Sequence, residues 1–245
     1  MREDLIIGRN AVVEALESHK TLESILISKG NNKGSINKII GLAKKNRIPI
    51  KTVDKKKLDE ISEGENHQGV AAYTTPYKYY SVEEILESSK DKVPFILILD
   101  EIQDPHNFGA IIRTAEVFGV DGIIIPKRRS VGITPIVYKS SVGAVEHVKI
   151  AKVNNINNTI DFLKENNIWI YGADMATDKY IYSENLKGAI ALVVGSEGKG
   201  ISKLTKEKCD ILIKVPMNGQ INSLNASVAG GIIMYEISRQ RIQRD

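Results

Sequence analysis

From residue 190 the chain reads Ile190-Ala191-Leu192-Val193-Val194-Gly195-Ser196-Glu197-Gly198-Lys199-Gly200, an apolar run that ends in a glycine-rich turn. The run Ile190–Val194 has no polar alternation, which is typical of a strand buried on both faces, as in a parallel sheet covered by helices. Similar runs predict further strands at Phe95–Asp100, Gly122–Ile125, Val148–Val153, Ile168–Gly172 and Ile211–Val215. Helices are predicted between and after them, at Phe108–Phe118, Pro135–Val142, Asn157–Asn166, Ile201–Lys208 and Ser223–Arg241. The second half of the chain is therefore expected to be a parallel α/β domain.

The first 74 residues alternate in the same way with shorter elements. Predicted strands are Ser24–Ile27, Ile48–Val53 and Gly69–Thr74, and predicted helices are Ala11–Leu16, Ile36–Arg47 and Lys55–Ile61. A turn-rich, aromatic segment with a short polar helix follows. We therefore expect a small α/β domain at 1–74, a linker at 75–93 and a larger α/β domain at 94–245.

Composition excludes several classes of protein. The chain has 245 residues with 42% hydrophobic and 26% charged residues, which is ordinary for a globular protein. Its charged first residues and short apolar runs predict neither a signal peptide nor a membrane span, so we expect a cytoplasmic protein. Cys209 is the single cysteine, so an internal disulfide is excluded, and neither a nucleophilic role nor a metal site is expected.

Positive charge is concentrated in the first domain. Ten Lys and Arg residues lie between Lys29 and Lys57, against one acid, Asp54. Phosphate backbones attract such clusters through counterion release, which suggests a nucleic-acid partner. A solvated helix surface would explain the same pattern.

Three polar loops follow predicted strands of the second domain, and ligands in parallel sheets bind beyond the carboxyl ends of strands. The first loop contains Asn107, which could cap the next helix, and Arg113. Six residues separate the two, or about 9 Å of helix axis, so Arg113 could reach a ligand above the helix end. A plain cap and a plain surface charge remain the alternative.

The second loop, Gly195–Gly200, has its glycines spaced G-x-x-G-x-G. This spacing fits neither the dinucleotide fingerprint G-x-G-x-x-G nor the P-loop, which needs Ser or Thr after its lysine. The glycines would let backbone approach a ligand closely, and Glu197 supplies one carboxylate there. A nucleotide-dependent oxidoreductase on a Rossmann sheet is another interpretation of a parallel α/β domain, and this glycine spacing disfavours it.

The third loop reads Val215-Pro216-Met217-Asn218-Gly219-Gln220-Ile221-Asn222-Ser223-Leu224-Asn225-Ala226-Ser227. Ser223 is predicted to cap the long final helix, whose predicted core face is Leu224, Val228, Ile232 and Tyr235. Asn225 would then lie in a first turn that already has its cap, so a structural role alone leaves Asn225 unexplained.

In this order the three loops resemble the signature motifs of the SpoU/TrmH family, the ribose 2′-O-methyltransferases of the SPOUT superfamily. The matches are Asn107-x-Gly109-x-x-x-Arg113, then Leu192-Val193-Val194-Gly195-x-Glu197-Gly198-x-Gly200, then Val215-Pro216-Met217 with Ser223-Leu224-Asn225-x-Ser227. They cover residues 95–241. The segments Ile7–Val12 and Asn66–Val70 are similar to the substrate-binding domain of the RlmB-like branch, which modifies a guanosine of 23S ribosomal RNA.

The resemblance implies a SPOUT domain with a C-terminal trefoil knot, S-adenosyl-L-methionine (SAM) as cofactor, RNA as substrate and a homodimer whose active site uses both subunits. By carry-over, the residues implied to contact SAM are Gly195, Glu197, Gly198, Val215, Pro216, Met217, Ser223 and Leu224. Those implied to line the catalytic pocket are Asn107, Arg113, Glu197, Ser223 and Asn225.

The implied reaction is attack of a ribose oxygen on the methyl group, with the reacting groups held in line. A guanidinium stays protonated in proteins, so Arg113 is interpreted as a cation that binds phosphate and stabilises oxyanion charge, not as the base. Glu197 would orient Arg113 or accept the proton. Two alternatives stay open: a tRNA 2′-O-methyltransferase, and a non-catalytic RNA- or ribosome-binding protein on the same fold.

Overall fold

The computed structural model describes residues 5–17, 22–30, 34–74, 77–220 and 223–242. It forms two compact units. One contains the described residues up to Lys78 together with Ile133–Gly143, and the other contains Tyr79–Gly132 and the described residues from Ala144 onwards. Parts of two predicted features lie outside the described residues: 75 and 76 of the linker, and 221 and 222 of the third loop.

The first unit is a mixed four-stranded sheet with helices. Its elements are β1 (Leu5–Ile7), α1 (Arg9–Glu17), β2 (Leu22–Ser28), α2 (Ser35–Lys45), β3 (Ile50–Val53), α3 (Lys55–Ile61) and β4 (Val70–Thr74). The strand order is β1-β4-β2-β3, in which only β2 and β3 run parallel. The buried stripe of α2 contains Ile36, Ile39 and Ala43, as the helical period predicts. The strand β1 was not predicted, because three residues are too few to show a period.

The second unit is built on one parallel sheet. Its elements are α4 (Val82–Ser88), β5 (Phe95–Asp100), α5 (Pro105–Val117), β6 (Gly122–Pro126), β7 (Lys149–Val153), α7 (Ile156–Glu165), β8 (Trp169–Ala173), β9 (Ile190–Gly195), α8 (Lys203–Lys208), β10 (Ile211–Ile213) and α9 (Ala226–Arg241); α6 (Pro135–Ser140) belongs to the first unit. All pairs are parallel in the order β10-β8-β9-β5-β6-β7. Every residue of β5 and β9 is buried, so the predicted class, a parallel α/β domain after a small α/β domain, is confirmed.

The predicted linker contains structure of its own. Its polar helix is α4, which begins with a capping box between Ser81 and Glu84 and buries Val82 and Ile85 in the core of the sheet. The predicted domain limits of 1–74, 75–93 and 94–245 stay a prediction.

The predicted core face of α9 is wrong. Val228, Ile232 and Tyr235 are 48%, 36% and 53% exposed, whereas the buried face contains Ala226, Gly230, Ile233, Met234, Glu236 and Ile237. A Cβ on Gly230 would lie 3.6 Å from Val194, so small residues let α9 pack closely on β9. The helix therefore carries two apolar stripes, one that is buried and one that faces outward.

Two structural findings concern the reactive groups of the described residues, namely the cysteine thiol and the possible metal ligands. Cys209 is partly buried, and burial, followed by the nearby Asp210 carboxylate, raises the pKa of its thiol to about 12, so it remains a neutral thiol at physiological pH. In the described ranges no cluster of three His, Cys, Asp or Glu side chains could hold a metal ion.

None of the helices in those ranges has the length and apolar content to cross a bilayer.

Candidate active site

The three polar loops meet at one edge of the parallel sheet. Asp100 pairs with Gly195 at the carboxyl ends of the neighbouring strands β5 and β9, so the loops that follow these strands start side by side. The loop after β10 leads into α9, which packs on both α5 and β9. Segments that are up to 118 residues apart in sequence thereby form one site, at the place where ligands bind in parallel sheets.

Asn107, Glu197 and Asn225 form a hydrogen-bonded junction. The Glu197 Oε1 atom accepts a hydrogen bond from Asn107 Nδ2 at 3.0 Å and another from Asn225 Nδ2. Asn225 Nδ2 also donates to Asn107 Oδ1 at 2.9 Å, and the Ala226 backbone N–H lies 3.4 Å from Glu197 Oε1. One carboxylate oxygen therefore links the ends of two helices to the glycine-rich turn.

Both predicted helix caps are wrong, and the correct ones explain the junction. The cap of α5 is Asp104, whose side chain accepts from the Asn107 N–H at 2.7 Å, so the Asn107 side chain is released for Glu197. The cap of α9 is Asn225 and not Ser223, because Asn225 Oδ1 accepts from the N–H groups of Ser227 and Val228 at 3.0 and 3.3 Å. Asn225 thus caps the helix with its oxygen and holds Glu197 with its nitrogen.

Gly195 brings the turn together without a side chain. The N–H of Ser196 donates to Gly200 O at 3.1 Å, and the N–H of Gly200 donates to Ser196 O at 2.9 Å. A Cβ on Gly195 would lie 2.0 Å from the carbonyl carbon of Gly200, which no backbone tolerates. Gly198 and Gly200 have φ of 81° and 66°, the left-handed region that favours glycine. The glycine spacing therefore encodes a closed turn that exposes Glu197 at its tip.

A cavity of about 350 Å³ lies beside this turn. Its wall includes every residue that the resemblance assigned to SAM except the exposed Pro216: Gly195, Glu197, Gly198, Val215, Met217, Ser223 and Leu224. The volume falls within the range of small-molecule sites. The wall combines apolar side chains with backbone groups of the glycine-rich turn, which suits a cofactor with a flat aromatic adenine and a polar ribose. The residues present therefore fit SAM.

One wall of this cavity was missed by sequence reasoning. It consists of Ala173, Asp174, Met175 and Ala176 at the end of β8. Asp174 accepts from the Ala176 N–H at 2.8 Å and lies 2.5 Å from Lys206 Nζ, which fixes the shape of this segment. Sequence reasoning could have found this segment only from its position after a buried parallel strand, because its residue types do not indicate a ligand site.

A second cavity of about 300 Å³ shares part of the turn with the first. It is lined by Asn107 and Asp104 on one side and by Ser196, Glu197 and Lys199 on the other. Glu197 therefore contributes to both cavities, and the junction lies where they meet.

Arg113 lies apart from the junction in the described chain. Its side chain is exposed on α5, lines neither cavity, and forms no ion pair with Glu197 among the described residues. Ile111 and Ala115 on the same helix are buried, so Arg113 points in another direction. Ser223 lines the first cavity without joining the junction.

Two family models match the chain. The model described as the SpoU rRNA Methylase family matches residues 94–235, and the one described as RNA 2′-O ribose methyltransferase substrate binding matches residues 5–80. YacO of Bacillus subtilis, assigned to the TrmH family of tRNA/rRNA methyltransferases, is 46% identical over 98% of this chain and 97% of its own length. A Staphylococcus saprophyticus protein with the same assignment is 49% identical over the same shares.

Among solved structures, the chain is similar to the SpoU methyltransferase AviRb of Streptomyces viridochromogenes, solved in complex with its cofactor AdoMet. The TM-score is 0.65 with 21% identity, covering 97% of this chain and 90% of that one. This likeness supports the fold. The family match over more than half of the chain, together with nearly half identity along almost its whole length, shows that the chain belongs to the SpoU family of SAM-dependent RNA methyltransferases.

Proposed function

We propose that this chain methylates a ribose 2′-hydroxyl, and that its substrate is a guanosine of 23S ribosomal RNA. The observation that carries the proposal is the position of Glu197, which lines two adjoining cavities and joins the loops of the three motifs. The substrate-binding match at residues 5–80 supports a ribose acceptor. A tRNA ribose is the second candidate, because the relatives are assigned to both RNA classes.

In this proposal each of the two cavities binds one of the two reactants. The larger cavity holds SAM, which supplies an electrophilic methyl group when bound. The smaller one receives the acceptor ribose, so that its 2′-hydroxyl reaches the junction. The trefoil knot implied by the resemblance would bring the loops after β9 and β10 around the cofactor, and it belongs to the proposal.

The junction suggests a role for each polar residue. Asn107 and Asn225 hold the Glu197 carboxylate through their amide N–H groups, which fixes its direction. Glu197 then accepts a hydrogen bond from the 2′-hydroxyl and takes its proton as the oxygen bonds to the methyl carbon. The bond from that carbon to the sulfonium sulfur breaks, and a neutral thioether leaves. Ser223 lies in the cofactor wall and positions SAM. Arg113 stabilises charge on the oxygen and binds the adjacent phosphate.

We expect Glu197→Gln to lower kcat for methyl transfer about a hundredfold, because the amide keeps the shape but cannot take a proton. The dissociation constant for SAM should change little, since Glu197 is at the edge of that cavity. The measurement is transfer of radiolabelled methyl groups from SAM to 23S ribosomal RNA and to tRNA transcripts, with ribose methylation mapped by resistance to alkaline cleavage.

Glu207→Gln is the matched control for this prediction, because Glu207 is an exposed glutamate on α8 away from both cavities. It should behave as wild type. An unchanged rate in Glu197→Gln removes Glu197 from the mechanism. Methyl groups found on bases would contradict the ribose acceptor, and methylation of tRNA alone would replace ribosomal RNA as the substrate.

We also propose that the chain acts as a homodimer through an outward face of α5 and α9. This face contains Val117, Val228, Ile232 and Tyr235, which are 66%, 48%, 36% and 53% exposed. Tyr235 contacts Phe118 edge to face at 5.8 Å, so the two helices present one continuous apolar surface. Such a surface is typical of a protein interface, and a second copy of the chain covers it symmetrically.

The dimer predicts a change of mass in solution. Wild type should elute with twice the chain mass of 27.1 kDa in size-exclusion chromatography with light scattering, and Val228→Glu should elute as a monomer, since a buried unpaired carboxylate opposes association. Val93→Glu is the control, because Val93 is 51% exposed but lies outside this face. A Val228→Glu protein that stays dimeric would assign the interface elsewhere.

A further inference from the structure

Two separate segments of the first unit converge on one side of its sheet. The Gly8 N–H donates to Val70 O at 3.2 Å, and the Arg9 N–H donates to the Gln68 side-chain oxygen at 3.1 Å. Arg9 Nε donates to the Gln68 carbonyl at 2.9 Å. Residues from the start of α1 and from the turn before β4 therefore form a single braced surface.

The buried side chain of His67 fixes the position of the turn through hydrogen bonds. It is 6% exposed, its Nδ1 accepts the Gly69 N–H at 2.9 Å, and its Nε2 lies 2.8 Å from Asp59 Oδ1. Since Nδ1 is the acceptor, the proton is on Nε2 and is donated to Asp59. His67 is thus a buried positioning residue rather than a solvated loop histidine.

The turn itself is strained. Gln68 has φ of 50°, a left-handed conformation that a residue with a side chain rarely adopts, and Gly69 follows with φ of 79°. Such strain persists only where neighbouring contacts enforce it, and it is concentrated at ligand-binding sites. Here His67 and Arg9 enforce it, which directs the Gln68 carbonyl and side chain toward the same surface.

This surface borders a polar cavity of about 790 Å³. Its wall carries the amides of Asn10 and Asn66, the cations Arg9 and Lys55, and the hydroxyls of Ser28 and Ser35. It also carries two carboxylates, Asp59, which is paired with His67, and Glu65. Amide groups pair with base edges, and lysine and guanidinium cations pair with phosphate as well as with base edges. The edges of a base are accessible in an unpaired nucleotide but not in the deep, narrow groove of an RNA helix.

We propose that this cavity binds one unpaired nucleotide of the RNA substrate, with Asn10 and Asn66 at the base edge and Lys55 at the phosphate. The inference rests on the proposed RNA substrate, and it adds the place on the first unit where that RNA binds. Other lysines, such as Lys44 and Lys45 on α2, are exposed and attract the RNA backbone without selecting an unpaired nucleotide.

The test uses the full chain and two fluorescein-labelled RNA probes, a hairpin with an unpaired loop and a blunt-ended duplex of equal length, read by fluorescence anisotropy. Asn10→Ala should weaken hairpin binding about tenfold and leave duplex binding unchanged. Lys55→Ala should weaken hairpin binding and lower the slope of log affinity against log salt by about one. Lys44→Ala, the matched control outside the cavity, should reduce affinity for both probes by the same small factor.

His67 is tested by comparing two replacements. His67→Asn offers a side-chain oxygen to the Gly69 N–H, whereas His67→Leu cannot. We expect hairpin binding to fall about tenfold in His67→Leu and to recover in His67→Asn, with circular dichroism and thermal melting showing both chains folded. Equal binding by the two variants would overturn the positioning role.

The inference is overturned if Asn10→Ala and Lys55→Ala bind the hairpin as wild type does, or if they lose hairpin and duplex binding in the same proportion as Lys44→Ala. A selective loss in Asn10→Ala supports it even if the wild-type chain transfers no methyl group to any RNA. In that case ribose methylation fails as a function while the nucleotide site stands.

Discussion

Replacing Gly195 with alanine is expected to raise the dissociation constant for SAM about a hundredfold. The added Cβ would meet Gly200 C at 2.0 Å and Ile201 N at 2.2 Å, and both are backbone atoms that cannot rotate away. The turn from Ser196 to Gly200 must open, which costs about 1–3 kcal/mol or more, or a factor of about five to more than a hundred in affinity. Isothermal titration calorimetry with SAM measures the effect directly.

The matched control for this change is Gly188→Ala. A Cβ at Gly188 meets no atom within 4 Å, so this variant should bind SAM as wild type does. Far-UV circular dichroism separates loss of the turn from loss of the fold, because the sheet core at β5 and β9 does not depend on the turn. If Gly195→Ala binds SAM normally in a folded chain, the cofactor does not occupy the cavity beside this turn.

The sheet could be predicted from sequence because its central strands β5, β6 and β9 are continuous apolar runs. Phe95–Asp100 was predicted with the bounds that the structure has, and the Ile190 strand extends by one residue, to Gly195. The convergence of the three loops also followed from the sequence, since parallel strands end at the same edge. The resemblance added the identity of the reactants, which strand patterns do not contain.

The caps and the outer face of α9 could not be predicted from periodicity. Ser223 and Asn225 are both good cap residues two positions apart, and the hydrogen bonds that Asn225 Oδ1 accepts from the Ser227 and Val228 N–H groups decide between them. In α9 both stripes are apolar: Val228 and Ile232 face outward, whereas Ile233 and Ile237 are buried on the same side as Gly230. A period of 3.6 residues identifies an apolar face but not what covers it.

The position of Arg113 leads to the prediction with the greatest consequence for the mechanism. Arg113 lies four residues before Val117 on α5, so it shares the outward face that we propose as the dimer interface. It reaches neither cavity of its own chain. We therefore expect Arg113 to act in the active site of the partner subunit, and Arg113→Ala alone to lower kcat about a hundred- to a thousandfold, as loss of an oxyanion-stabilising group does.

Mixing two inactive chains tests this arrangement. When Arg113→Ala and Glu197→Gln proteins are unfolded together and refolded, random pairing places about half of the chains in heterodimers. If Arg113 serves the partner's site, each heterodimer has one site with both residues intact, so about a quarter of the wild-type methyl-transfer rate should return. If Arg113 acts within its own chain, every site lacks one of the two residues and the mixture stays as inactive as its parents. Restoration therefore requires both a dimer and an active site built across it, and repeating the mixture with Val228→Glu added to both chains should remove the restored activity.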